Sequence, residues 1–134
     1  MAGLLISSCK PKSEPIAYGE NDCTYCQMTI VDKIHGAELV TSKGKIYKYD
    51  AVECMVMALK EMDETDMAMI LVNHLEEPEA LIDVTTATFL ISKKLPSPMG
   101  GFLTAFASRE AAEDALIEYG GELYSWQELK NEYK

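Results

Sequence analysis

The sequence predicts an α+β domain made of two related β-β-α-β halves. First, β-rich segments at 37–42 and 45–49 flank a Lys-Gly dipeptide, which is typical of a hairpin turn. Second, a segment with helical character follows each pair of predicted strands. Third, ATFLISK at 87–93 repeats AELVTSK at 37–43, with alanine, serine and lysine at matching places. We therefore expect the same order of elements to occur twice.

The first half continues from the hairpin into a helix and a buried strand. Asp50 is the expected N-cap of this helix, and Glu53 three residues later completes a capping-box pattern. The helix is predicted to run to about Met62, because one apolar stripe includes Val52, Met55, Val56, Leu59 and Met62. The nearly all-apolar run at 67–73 predicts a buried strand.

The second half contains the same elements and one addition. Segments 87–93 and 101–107 are the expected strands, and Ser108 is the expected cap of a helix that a Gly-Gly pair ends. ELYS predicts a last short strand, and SWQELKNEY a terminal helical turn or two. The added loop, LPSPMG at 95–100, is stiffened by two prolines and holds up Met99.

Length and charge exclude some classes of function. The chain has 134 residues, enough for one domain with its own core. Its 22 acidic residues outnumber 12 basic ones, and the formal net charge is −10. Such a charge repels phosphates, so we expect no nucleic acid partner.

The N-terminal residues 1–9 predict a lipid anchor. MAGLLISSC is a short apolar run in which small residues precede Cys9, the pattern that lipoprotein signal peptidase reads. We expect a truncated signal peptide with Cys9 as the lipidation site. The polar, proline-containing residues 10–21 are predicted to be a linker, and 22–134 the folded domain. No stretch has the roughly 18 apolar residues of a membrane-spanning helix.

The segment DCTYCQMTI, residues 22–30, is the candidate for chemistry. Cys23 and Cys26 form a CxxC pair, but a thioredoxin-like pair opens a helix, whereas β-branched residues here favour a strand. A structural zinc site needs four ligands, and the remaining candidates Cys54, His35 and His74 show no ligand spacing. Thiolate and thioether together are soft donors that select Cu(I).

Methionines can complete such a soft-donor site. On a strand, Cys26 and Met28 point to the same face, although a methionine packed in the core fits the pattern as well. Met99 can add a second thioether if the two halves pack face to face. Weaker candidates are Cys54 with Met57 as a second soft pair, His35 as a further ligand from a turn, and His74 in an acidic loop.

Several motifs in this order resemble those of the NosL family of copper lipoproteins. They are ISSC (6–9), CTYCQM (23–28), KIYKYDAVECM (45–55), SPMGG (97–101), AF (105–106) and GGELYSW (120–126). The resemblance implies a monomeric Cu(I) chaperone, not an enzyme, anchored by lipid and facing the periplasm. Its partners would be apo nitrous oxide reductase, which receives copper for its copper centre, and an associated ABC-type transporter complex. The implied fold is similar to that of the organomercurial lyase domain.

The resemblance also assigns ligands to positions of this chain. The family's Cys-x-Met falls on Cys26 and Met28, and the methionine of its Pro-Met-Gly falls on Met99. Cys26 would be the strongest donor, and Cys23 a fourth donor or a resolving thiol. Gln27 stands where the family usually has glycine between the cysteine and the methionine.

Two functions of other classes stay open at this point. A thiol-dependent enzyme, organomercurial lyase-like or an oxidoreductase, would use the CxxC, although no acid is positioned near it in sequence. A non-catalytic module would instead hold Cys23 and Cys26 in a structural disulfide and would lose stability on reduction.

Overall fold

The computed structural model describes residues 10–133, which fold into two antiparallel sheets and three α-helices. In chain order the elements are β1 (Ala37–Thr41), β2 (Ile46–Tyr49), α1 (Val52–Leu59), β3 (Met67–Asn73), β4 (Leu81–Asp83), β5 (Thr88–Ile91), β6 (Leu103–Phe106), α2 (Arg109–Tyr119), β7 (Glu122–Tyr124) and α3 (Trp126–Glu132). A 3-10 turn at Glu64–Asp66 precedes β3. Within the described residues, each helix is too short or too polar to cross a membrane.

The two sheets have the same pairing scheme. The first has the strand order β2-β1-β3-β4 and the second β6-β5-β7, with antiparallel neighbours throughout. In each sheet the first strand of the half lies between the second and the third, so β-β-α-β occurs twice with equivalent pairing. The predicted α+β class is confirmed. The short β4 was not predicted, because its three residues follow an acidic loop and carry no alternating pattern.

The α1 helix lies between the two halves. It contacts β1 and β2 of the first sheet and β6 of the second. Val52, Met55 and Val56 of its apolar stripe are buried in the main core, as predicted. The helix ends at Leu59, earlier than the predicted Met62, and residues 60–62 continue only as a turn. The junction of the halves is therefore built around α1.

The start of α1 differs from the prediction. Ala51 is the N-cap and makes no side-chain capping bond, so the capping box expected from Asp50 and Glu53 is wrong. Both carboxylates are buried instead: Asp50 accepts from the Cys26 and Cys54 thiols, and Glu53 accepts from the Ser97 hydroxyl. The predicted cap of α2 is confirmed, since Ser108 Oγ accepts from the Ala111 amide at 3.1 Å.

Part of the predicted linker lies against the first sheet. Ile16 is buried, and the Glu14 amide donates to Glu38 Oε1 at 2.9 Å. Lys48 Nζ contacts Glu14 Oε2 and Asn21 Oδ1, each at 3.1 Å. The packed part of the chain therefore begins before residue 22.

A glycine pair between α2 and β7 packs against β5, and substitutions there test this contact. Both Gly120 and Gly121 have positive φ, but only at Gly121 would a Cβ collide with the Ile91 carbonyl. We expect Gly121→Ala to lower the free energy of unfolding by about 3 kcal/mol and Gly120→Ala by about 1 kcal/mol. Chemical denaturation of both variants measures the difference, and equal losses would contradict the packing of this turn.

Candidate metal centre

The cysteine loop, residues 22–30, is a closed turn and not a strand. The Cys23 amide donates to the Met28 carbonyl at 2.8 Å, and the Gln27 amide to the Cys23 carbonyl at 3.0 Å. Gln27 has a φ of 70°, in the left-handed region that favours glycine. The expected strand, with Cys26 and Met28 on one face, is therefore wrong, because a left-handed residue between them breaks the extended backbone.

The cysteine loop is fixed beside the start of α1. The Thr24 amide donates to the Lys48 carbonyl of β2 at 2.8 Å, which places the cysteines next to the chain leaving that strand. Asp50 Oδ1 accepts from the Cys54 thiol at 3.2 Å and from the Cys26 thiol at 3.5 Å. One chain segment thus supplies two thiols, and the segment beginning α1 supplies a third thiol and a carboxylate.

These four side chains form the thiol–carboxylate cluster of Cys23, Cys26, Asp50 and Cys54. One ligand atom from each lies within 4.8 Å of all the others. The three thiols are free, so no disulfide joins them. Cys23 and Cys54 are each 1% exposed, whereas Cys26 is only half-buried. Cys26 is therefore the thiol of the cluster that another molecule reaches first.

Hydrogen bonding among the thiols separates their acidities. The hydrogen bond from Cys54 lowers the pKa of Cys23 from 9.0 to about 6, and it outweighs the opposing effect of burial. The same bond, followed by burial, raises the pKa of Cys54. Burial raises the pKa of Cys26. Cys23 is therefore the most acidic of the three thiols.

A loop from the second half faces the cluster. Met99 and Cys54 line one groove of about 300 Å³, together with Tyr25 and Met57. The side chain of Met99 is 42% exposed. The remaining predicted ligand, Met28, is 59% exposed. Met99 therefore shares a groove with one thiol of the cluster, Cys54, and Met28 is largely exposed to solvent.

The Met99 loop is held by a buried carboxylate. Glu53 Oε1 accepts from the Ser97 hydroxyl at 2.8 Å and from the Leu103 amide at 3.3 Å. A Cβ at Gly101 would come within 2.6 Å of Glu53 Cγ, so a glycine is needed for the close approach. Glu53 thus connects α1 to both ends of this loop.

The two histidines are buried beside polar side chains outside the thiol–carboxylate cluster. His35 is buried, with Nδ1 at 2.9 Å from Asp32 Oδ2 and Nε2 at 3.1 Å from Thr104 Oγ1. Both ring nitrogens are therefore engaged, and His35 connects the first half to β6. His74 is also buried, with Nδ1 at 3.8 Å from the carboxylate of Glu76.

The sequence predicted only part of this cluster. The structure brings Cys23 and Cys26 together and adds Asp50, which had been expected to cap a helix, and Cys54, which had been ranked as a weak candidate. The spacing of Asp50 and Cys54 could have indicated that they act together, because residues four apart at a helix start lie on one face.

The predicted lipidation site, Cys9, lies outside the described residues.

Two comparisons with known proteins both point to NosL. The family model NosL matches residues 16–134. The structure is similar to the crystal structure of the copper chaperone NosL from Shewanella denitrificans, with a TM-score of 0.73 and 22% identity over 88% of this chain and 96% of that chain. At this identity the likeness shows a shared fold. A search of curated proteins found no match.

The acidity of Cys23 predicts a pH dependence in the metal-free protein. Since its pKa falls to about 6 on folding, Cys23 stabilises the folded state fully above its unfolded pKa near 9. That contribution is lost as pH falls from about 9 to about 6. Ultraviolet thiolate absorbance of the reduced full chain carrying Cys9→Ser should therefore rise near pH 6.

The matched variants identify the titrating thiol. We expect Cys23→Ser to abolish the rise near pH 6 and Cys26→Ser to keep it. A wild-type titration that begins only above pH 8 would contradict the assigned role of the Cys54 hydrogen bond.

Proposed function

The chain belongs to the NosL family, and we propose that it binds Cu(I) and delivers it for assembly of the copper centre of nitrous oxide reductase. The main support for the proposal is that three free thiols lie close together beside a groove lined by Met99. Sulfur donors of this kind prefer Cu(I) to harder ions. The solved relative is itself described as a copper chaperone.

In this proposal Cys26 is the central ligand, with Cys23 as a further thiol and Met28 and Met99 as thioethers. Cys26 is the half-buried thiol of the cluster, and both methionines are exposed. Thiolate sulfur binds Cu(I) strongly, and thioethers add soft donors without adding charge.

Exposed apolar side chains near the site would let a partner protein dock there and take the copper ion. Tyr25, Met28, Val31 and Met99 are large apolar side chains that are exposed on or near the cysteine loop and the facing loop. A partner protein that covers this surface can replace one thioether at a time, so the ion need never be free in water. We propose apo nitrous oxide reductase and an ABC-type transporter complex as these partners.

The proposal includes the location of the protein. Lipidation at Cys9 would hold a monomer at the periplasmic face of a bacterial membrane. Residues 10–13 would then separate the anchor from the packed segment, in which Ile16 is already buried. The metal site would face partners in the same compartment.

The structure disfavours the oxidoreductase alternative. An attacking thiolate must be accessible to its disulfide substrate. Here the thiol with the lowered pKa, Cys23, is 1% exposed, and the more accessible Cys26 has a raised pKa. The acidic and the accessible thiols are thus different residues, which suits a ligand set better than a redox pair.

Anaerobic competition with a chromophoric Cu(I) chelator tests the copper proposal. In the full chain carrying Cys9→Ser, we expect one tightly bound Cu(I). Cys26→Ser should weaken binding more than about 100-fold, and Met99→Leu about tenfold, because a thiolate binds Cu(I) more strongly than a thioether.

Met69→Leu is the matched control, since Met69 is a half-buried methionine on β3 that lines a different groove. It should leave Cu(I) affinity unchanged. Unchanged affinity in Cys26→Ser would refute the ligand assignment, and no binding by the reduced protein would refute the copper function.

A further inference from the structure

We propose that Glu53 is a positioning residue for copper binding, because it holds the loop that carries Met99 beside the thiols. Glu53 would not bind the ion itself. It would act only through the Met99 loop, which connects β5 to β6. The inference rests on the proposed copper function and adds to it a residue whose pattern in the sequence is that of a capping box.

Glu53 contacts the Met99 loop on both sides of the methionine. Two residues before Met99, the Ser97 hydroxyl donates to Glu53 Oε1 at 2.8 Å. Two residues after Met99, Gly101 lies so close to the same side chain that an added Cβ would be 2.6 Å from Glu53 Cγ. At the start of β6, the Leu103 amide donates to Glu53 Oε1 at 3.3 Å. One side chain of α1 therefore sets the place of the thioether.

The chain around Met99 is a tight turn. The Gly100 amide donates to the Ser97 carbonyl at 2.9 Å, and Pro98 occupies the second position, where its fixed φ suits a turn. The turn is therefore stiff within itself, and its orientation depends on what holds its ends. Because Ser97 is the first residue of the turn, its bond to Glu53 orients the turn and Met99 together.

The end of the Met99 loop is in a strained conformation. Phe102 has a φ of 58°, in the left-handed region that a bulky side chain rarely adopts. Such a residue persists only where its surroundings hold it there. The residues on either side of Phe102, which are Gly101 and Leu103, both contact Glu53. Loss of these contacts would let Phe102 relax and the loop move away from the thiols.

Burial and position in α1 suit Glu53 to this role. Glu53 is 5% exposed, and within residues 10–133 its Oε2 has no hydrogen-bond partner, so Oε1 alone holds the loop. Hydrogen bonds to a carboxylate are stronger than those between neutral groups. Glu53 directly precedes Cys54, and both line the groove that Met99 also lines. Consecutive residues of one helix thus hold a thiol of the cluster and the loop that faces it.

The effect of losing Glu53 has an upper limit. If Glu53 acts only through Met99, its loss can cost at most the whole contribution of that thioether. A loop that faces the thiols for only part of the time lowers the apparent Cu(I) affinity in proportion. We therefore expect Glu53→Leu to weaken Cu(I) binding by about fivefold, which is less than the roughly tenfold loss expected for Met99→Leu.

A double-mutant cycle tests whether Glu53 acts through Met99. Anaerobic competition with a chromophoric chelator measures the Cu(I) affinity of the full chain carrying Cys9→Ser. In the Met99→Leu background, Glu53→Leu should cause no further loss, because the thioether is already absent. Glu53→Gln keeps an oxygen acceptor and should retain Cu(I) affinity within about twofold. Equal losses from Glu53→Leu with and without Met99 would overturn the inference.

A second buried carboxylate provides the matched control. Glu38 is 0% exposed, accepts the Glu14 amide through Oε1, and has no partner for Oε2 among the described residues. Glu38→Leu should therefore leave Cu(I) affinity unchanged, although it also removes a buried charge. If Glu53→Leu does not fold, Ser97→Ala decides, since it removes only a hydroxyl donor from the turn. A loss of about threefold that disappears in the Met99→Leu background supports the inference, and no loss contradicts it.

Hydrogen exchange measures the hold on the loop in the metal-free protein. We expect faster exchange of the Gly100 and Leu103 amides in Glu53→Leu and unchanged exchange in Glu38→Leu. Unchanged exchange in both variants would rule out the hold. Cu(I) binding that Met99→Leu weakens and Glu53→Leu does not would overturn this inference and leave the copper function standing. No Cu(I) binding by the wild type would refute the copper function and this role of Glu53 with it.

Discussion

The contact between the cysteine loop and the start of α1 is the constraint on which the site depends. The Thr24 amide binds the Lys48 carbonyl at the end of β2, and two residues later Asp50 accepts from the Cys26 and Cys54 thiols. The same helix holds the Met99 loop through Glu53. Because α1 contacts both sheets, it positions the thiols and the Met99 loop relative to one another.

The cluster is an unfavourable place for negative charge in the absence of a cation. Two of its thiols and its carboxylate are almost fully buried, and burying charge costs free energy unless a partner compensates for it. The thiols reduce this cost by sharing hydrogen bonds, which concentrate acidity on Cys23. A bound metal ion would remove the remaining cost, which would link metal affinity to the stability of the fold.

Local patterns predicted most of the fold. The hairpin of β1 and β2, the run of β3 and the Ser108 cap of α2 follow from turn residues, apolar runs and caps, which act within a few residues. The cysteine loop does not, because its hydrogen bonds and the left-handed Gln27 override the strand preference of the residues that follow. Closure of the cysteine loop thus prevents the strand that the β-branched residues indicate.

The site was predicted less completely than the fold. The CxxC pair was visible in the sequence, but Asp50 has the features of an N-cap and Cys54 those of a packed thiol until tertiary contacts bring them to the loop. The donors that complete the cluster lie 24 or more residues from Cys26, as the Cys26–Asp50 hydrogen bond shows. No spacing rule over such a separation specifies which thiols meet.

We propose that sulfur atoms from the cysteine loop and from the facing Met99 loop bind one Cu(I) together. X-ray absorption of the Cu(I)-loaded full chain, carrying Cys9→Ser, measures the donor atoms directly. We expect a first shell of sulfur alone, in which Met99→Leu lowers the number of sulfur scatterers. A shell containing nitrogen or oxygen, or one unchanged by Met99→Leu, would contradict it.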